Sequence, residues 1–154
     1  MCLFDFGLAK ELKRRDLVEA PDGYLATGVT GSRRYMAPEV VSSLPYGFSA
    51  DVYSFGILLW EMMRLQTPFC GYNGTKHFEL VVVAKQRPAV PRIWPIELRT
   101  LLAQSWAHHP LDRVNIDSVC QSLQAQLRVC EGNGSDNHHI STRSLYLSSR
   151  EAHA

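Results

Sequence analysis

The chain has almost no net charge, no long apolar run and no paired cysteines, and each absence removes a class of function. Sixteen Lys and Arg against fifteen Asp and Glu leave a formal net charge of +1 over 154 residues. No global field is available to gather nucleic acid or an anionic membrane surface. The densest basic stretch, Lys10 to Arg15, is diluted by Glu11 and followed by Asp16, which is the pattern of a solvated loop. The longest apolar runs, near Ile57 to Trp60 and Leu80 to Ala84, fall far short of the roughly 20 residues that span a bilayer. The apolar N-terminus stops at Asp5, too short for a signal peptide. Cysteines at positions 2, 70, 120 and 130 form no Cys-x-x-Cys pair, and no cysteine and histidine stand at zinc-finger spacing. Reduced thiols are therefore expected, in a soluble, intracellular and mainly cytoplasmic protein with no nucleic-acid or membrane partner.

What is present is globular: 45% apolar and 20% charged residues, enough for one domain with a core. Residues 8 to 36 mix Lys, Arg, Asp, Pro and Gly without a sustained period, and Pro21-Asp22-Gly23 signals a turn. A loop this long inside a compact domain is usually functional. Pro38 suits the first turn of a short helix ending near Ser42 to Pro45. Ser49 then offers an N-cap for the most apolar helix, running to about Arg64 with apolar residues on nearly every side, which predicts a buried central pillar. Further helices are predicted at about Thr75 to Gln86, at Ile96 to Ala107, and after Arg113, where Ile116, Val119, Cys120, Leu123 and Leu127 recur at helical spacing and Asn115 or Asp117 can cap. Strand signals are nearly absent. From Glu131 onward the composition is polar and aperiodic, so residues 131–154 read as a disordered tail, with His138 and His139 solvated rather than metal-binding.

Two triplets bracket the long loop. Asp5-Phe6-Gly7 opens it and Ala37-Pro38-Glu39 closes it, with Thr30-Gly31-Ser32-Arg33-Arg34-Tyr35-Met36 leading into the second triplet and Asp51-Val52-Tyr53-Ser54-Phe55-Gly56 following. In this order they resemble the activation segment and adjoining helices of a eukaryotic protein kinase. The wording from Asp51 to Met62, together with Gly31-Ser32, most resembles the tyrosine-kinase-like group of serine/threonine kinases. The resemblance covers about residues 2 to 130. It implies a mainly α fold: a kinase-like C-terminal lobe with an activation segment over 5–39 and helices over 40–130 packed on a buried central helix. The N-terminal lobe and catalytic loop are absent from the sequence.

The resemblance also implies roles. Asp5 would hold magnesium against the phosphates of ATP, Phe6 would pack against the regulatory helix of the missing lobe, and Gly7 would let the segment turn. Gly31, Ser32, Arg33, Arg34, Tyr35 and Met36 would form the loop on which a protein substrate docks, and the Gly31-Ser32 pair accompanies serine/threonine specificity. Thr27, Thr30 and Tyr24 are the candidate phosphorylation sites, since a phosphate there would order the loop by pairing with arginine. Glu39 and Arg113 resemble the buried ion pair that ties the end of the segment to the last helices. Trp106, Pro110, Asp112 and Arg113 match a further family stretch, with Val114 where proline is usual. Asp51 resembles the aspartate that holds the backbone of the catalytic loop.

No glycine-rich loop, no Val-Ala-Ile-Lys strand and no His-Arg-Asp loop occurs in these residues. The expected function is therefore that of a serine/threonine protein kinase domain, present as an incomplete polypeptide that neither transfers phosphate nor binds ATP and magnesium tightly by itself. The alternative is a noncatalytic binding or regulatory module, partnered by protein substrates, regulators, an intact kinase or a missing N-terminal portion. Apolar side chains left uncovered each forfeit about 1.5 to 3 kcal/mol, so an isolated chain is expected to be marginally stable.

Overall fold

The computed structural model describes residues 7–18, 23–24 and 31–132. Its elements in chain order are α1 (Pro38–Val41), α2 (Ser49–Arg64), α3 (Gly74–His77) running on into a π-helical turn (Phe78–Val83), α4 (Ile96–Ser105) and α5 (Ile116–Gly132), with 3-10 turns at Arg14–Asp16, Arg33–Tyr35 and Pro110–Asp112. Among the described residues there is no strand; Tyr24 makes isolated bridges to Leu17 and Tyr46. The chain divides into two compact units, Met1–Val119 and Cys120–Ala154. In the second, the described residues are the C-terminal part of α5, with Leu127, Val129 and both of its cysteines exposed. That helix runs to Gly132, past the Glu131 boundary expected for the tail; residues 133–154 lie outside the described residues.

Local chemistry sets most helix starts. Pro38 occupies the first turn of α1, where its missing N–H costs nothing. Asn73 Oδ1 accepts the Lys76 N–H at 2.8 Å and starts α3, and Asn115 Oδ1 accepts the Ser118 N–H at 2.8 Å before α5. The cap expected at Ser49 is corrected: Ser49 is already helical and Phe48 holds the cap position without a side-chain cap bond. α2 ends at Leu65, which turns left-handed at φ 52° and returns its N–H to the Glu61 carbonyl. The helix expected over Thr75 to Gln86 begins one residue earlier and loosens into the π turn, where the Ala84 N–H reaches back to Glu79.

The core of the first unit forms around α2. Ala50, Val52, Tyr53, Gly56, Ile57, Leu59 and Trp60 are buried, and Leu98, Leu101 and Leu102 of α4 pack against them at helical spacing. Gly56 permits the close crossing, because a methyl group there would stand 2.8 Å from Ser105 Cβ. Trp60 Nε1 donates to the Ala89 carbonyl at 2.9 Å and holds the proline-rich segment after the π turn. The pillar leaves one side open, where Leu58 and Met62 are exposed, and Met63 is exposed near its C-terminal end. The apolar residues all round α2 predicted burial on every side, but nothing among the described residues covers this one.

Candidate docking site

Gly31 enters the segment Gly31–Met36 at φ +104°, a conformation glycine adopts without a side-chain clash. The chain then closes a 3-10 turn, with the Tyr35 N–H donating to the Ser32 carbonyl and the Met36 N–H to the Arg33 carbonyl. Two bonds moor this turn on α2. Ser54 Oγ donates to the Tyr35 carbonyl at 2.8 Å, and the Tyr35 hydroxyl donates to Glu61 Oε2 at 2.6 Å. Ser54 and Glu61 lie two turns apart on one face of the helix, so a single rigid element grips both ends of one residue. The bond to Glu61 holds the Tyr35 hydroxyl above the usual phenol pKa, with burial and the carboxylate charge adding and Arg34 opposing. Met36 and Ala37 follow as core residues, while Gly31, Ser32 and Arg33 stay exposed. The result is a loop whose exit is buried and whose outer edge faces solvent.

Immediately after it, Glu39 meets Arg113 from the far end of the first unit. Arg113 Nη1 donates to Oε1 at 2.6 Å and Nη2 to Oε2 at 2.7 Å. The remaining guanidinium hydrogens go to the carbonyls of Ser49, Ala107 and His108. The arginine side chain is 0% exposed and the glutamate 7%. A bidentate pair this dry fixes the base of the loop in orientation as well as position. Behind it, the Tyr53 ring lies between two cations, with the guanidinium carbons of Arg87 and Arg113 each 5.1 Å from its centroid. Burial pushes the Tyr53 hydroxyl up to about 12, with the two arginines opposing and Glu39 adding. That hydroxyl has no hydrogen-bond partner among the described residues. Arg87 donates to the carbonyls of Trp106 and Val81, joining α4 to the π turn.

The other sequence-predicted residues are dispersed. Asp5, Phe6, Thr27 and Thr30 lie outside the described residues. Gly7 is an exposed turn residue, and Tyr24 takes part in the two isolated bridges. Asp51 is exposed overall at the start of α2, and partial burial of its carboxyl pushes the pKa up. No group of three or more His, Cys, Asp or Glu side chains comes together among the described residues in a way that could hold a metal ion.

The structure adds a feature with no sequence signal. A cavity of about 140 Å³ opens between the outer edge of the loop, Ser32 to Arg34, and the residues entering and forming α3, notably Tyr72, Asn73 and His77. His77 is 4% exposed, and neither ring nitrogen has a hydrogen-bond partner among the described residues. Phe69 meets it edge-on at 5.3 Å. Burial lowers the His77 pKa, and Arg33, Arg87 and Arg34 lower it further. In the sequence His77 is one histidine on a short helix, and its neighbours are set by the fold of the preceding loop.

A loop moored to a central helix and closed by a buried carboxylate–guanidinium pair sits in the mainly helical fold expected of the C-terminal lobe of a protein kinase. The chain belongs to the family described as protein tyrosine and serine/threonine kinase, which matches residues 1–123. It is 35% identical over 130 residues to the dual specificity protein kinase shkB of Dictyostelium discoideum, covering 83% of this chain and 19% of that protein. It is 32% identical over 138 residues to the serine/threonine-protein kinase STY46 of Arabidopsis thaliana, covering 90% and 23%. With the human mitogen-activated protein kinase kinase kinase 11 it shares 32% identity over 121 residues, covering 79% and 13%. The chain thus spans less than a quarter of the length of each of these relatives. Kinases of this family act on protein substrates and use ATP and magnesium. No helix among the described residues is long and apolar enough to cross a membrane.

Proposed function

We propose that this chain is the substrate-docking part of a serine/threonine protein kinase domain, whose complete form transfers the γ-phosphoryl group of ATP to protein hydroxyls with magnesium. The observation that carries this reading is the rigid mooring of Gly31–Met36: Tyr35 is held at its carbonyl by Ser54 and at its hydroxyl by Glu61, so the exposed edge is ready for a partner chain. The Gly31-Ser32 pair favours serine or threonine as the acceptor. Asp5 is assigned to the metal and Asp51 to the catalytic-loop backbone by family likeness alone. Thr27 and Thr30 are proposed phosphorylation sites, residues 1–130 are proposed as the kinase portion, and 131–154 as a tail.

Phosphoryl transfer also needs a phosphate-cradling loop, a lysine and a proton-accepting aspartate, and the 154 residues contain no glycine-rich, Val-Ala-Ile-Lys or His-Arg-Asp sequence. The chain by itself is therefore proposed to bind rather than to transfer. An intact docking surface without these motifs also supports the second reading, a noncatalytic module that competes with a complete kinase for substrates or regulators. The test is twofold. The purified chain is incubated with magnesium, labelled ATP and generic protein substrates, and separately titrated with degenerate serine and threonine peptides. Binding without transfer is expected. Transfer by the chain alone overturns the noncatalytic assignment, and failure to bind any peptide overturns the docking assignment.

A further inference from the structure

The cavity beside the docking loop is basic and has no acid of its own. Arg33 and Arg34 form one wall, and the Arg33 guanidinium reaches the start of α3, where a methyl on Gly74 would stand 3.0 Å from Nη1. Lys76, which does not line the cavity, holds its Nζ 4.8 Å from the centroid of the Tyr72 ring that does. Among the described residues no aspartate or glutamate lines the cavity, and neither arginine makes an ion pair. Concentrated positive charge without counter-charge favours an anion.

The buried histidine makes the same point independently. An imidazole that is 4% exposed and, among the described residues, unpartnered at both nitrogens bears the desolvation cost of its polar atoms without a bond in return. A ligand accepting from its N–H relieves that cost. Arg33, Arg34, His77 and Ser32 all line the cavity, and their side chains offer guanidinium, imidazole and hydroxyl donors. A carboxylate offers two oxygens and one charge, whereas a phosphate monoester offers three acceptor oxygens and close to two charges. Arginine forks suit the larger, doubly charged group.

We propose that this cleft holds the phosphate of an already phosphorylated side chain on the protein segment that docks along Gly31–Met36. The inference rests on the docking reading above, because the cleft's two arginines belong to that loop. It makes the kinase portion selective for partners carrying a prior phosphate close to the docked residues.

The experiment uses the full 154-residue chain and degenerate peptide libraries with one fixed phosphoserine, the same libraries with serine or glutamate there, and inorganic phosphate. Affinity is read by fluorescence anisotropy, and the His77 ring signals by NMR, assigned through their loss in His77→Gln. The phosphoserine library is expected to bind at least about tenfold tighter than the serine library and to shift the His77 signals. Arg33→Ala, at an exposed residue whose loss does not threaten folding, is expected to remove most of that gain. Equal binding of phosphoserine and serine libraries overturns the phosphate site while leaving the docking loop standing. Binding of neither overturns both. Unmoved His77 signals, or inorganic phosphate binding as tightly as the phosphopeptides, also overturn the proposal.

Discussion

Removing either half of the Glu39–Arg113 pair should cost far more than any surface ion pair. Arg113 uses all five guanidinium hydrogens: two to Glu39, and one each to the carbonyls of Ser49, Ala107 and His108. Arg113→Ala leaves a nearly dry carboxylate without its counter-charge and three carbonyls without this donor. Glu39→Ala leaves a guanidinium that cannot lose its proton, still held by those carbonyls. Breaking a buried pair from one side costs about 3 to 5 kcal/mol, a large share of the roughly 5 to 15 kcal/mol that holds a domain together. The double variant removes both charges and should lose less than the sum of the single losses, by about 2 to 3 kcal/mol. Urea denaturation followed by far-UV circular dichroism measures all three variants. Arg113→Lys is the informative control, since it retains the charge without the fork and should remain clearly destabilised. Single losses below about 1 kcal/mol that simply add, as for an exposed pair, would refute the reasoning, because the pair would then not be anchoring the base of the docking loop.

Three further outcomes follow from neighbouring geometry. Gly56→Ala should destabilise by about 1 to 3 kcal/mol, since its methyl would meet Ser105 Cβ at 2.8 Å; a thermal midpoint equal to wild type would mean that α2 and α4 part without cost. Tyr53→Phe should be neutral or stabilising by up to about 1 kcal/mol, because it deletes a buried hydroxyl that lacks a partner; a clear loss of stability in urea would reveal a partner for that hydroxyl. His77 and His108 both have pKa values lowered chiefly by burial, His77 with Arg33, Arg87 and Arg34 adding, and His108 with Arg87, Lys85 and Arg113 adding and Glu39 opposing. The unfolded chain, titrating near 6.5, therefore binds more protons in the window below that value. Stability should be full above about pH 6.5 and fall as pH drops through the lower folded values. Replacing both histidines with glutamine should flatten the urea midpoint across that window, whereas an unchanged slope would assign the acid sensitivity to other groups.

What could be read from the chain without coordinates was whatever depends on order and spacing. The two triplets enclosing a long aperiodic loop pointed to the protein kinase family, which the comparison bears out over residues 1–123. The Pro38, Asn115 and apolar-period signals placed the helices to within a few residues, because caps and amphipathic faces are local. Partners distant in sequence were accessible only through family likeness: nothing in the residues around Arg113 says that it completes its bonding with Glu39, on the other side of α2 in sequence. The error about α2 has the same origin. Leu58 and Met62 are as apolar as Ile57 and Leu59, and only the packing of α4 and of the 3-10 turns Arg33–Tyr35 and Pro110–Asp112 against the helix decides which are covered. The basic cleft had no sequence signal at all, since Arg33 and Arg34 looked like loop charges and His77 like an isolated helix residue. The turn that moors Tyr35 on α2 and the loop that delivers Asn73 to the start of α3 bring them together. A basic cleft can thus arise from residues that are individually ordinary, provided two short segments are fixed to the same helical core.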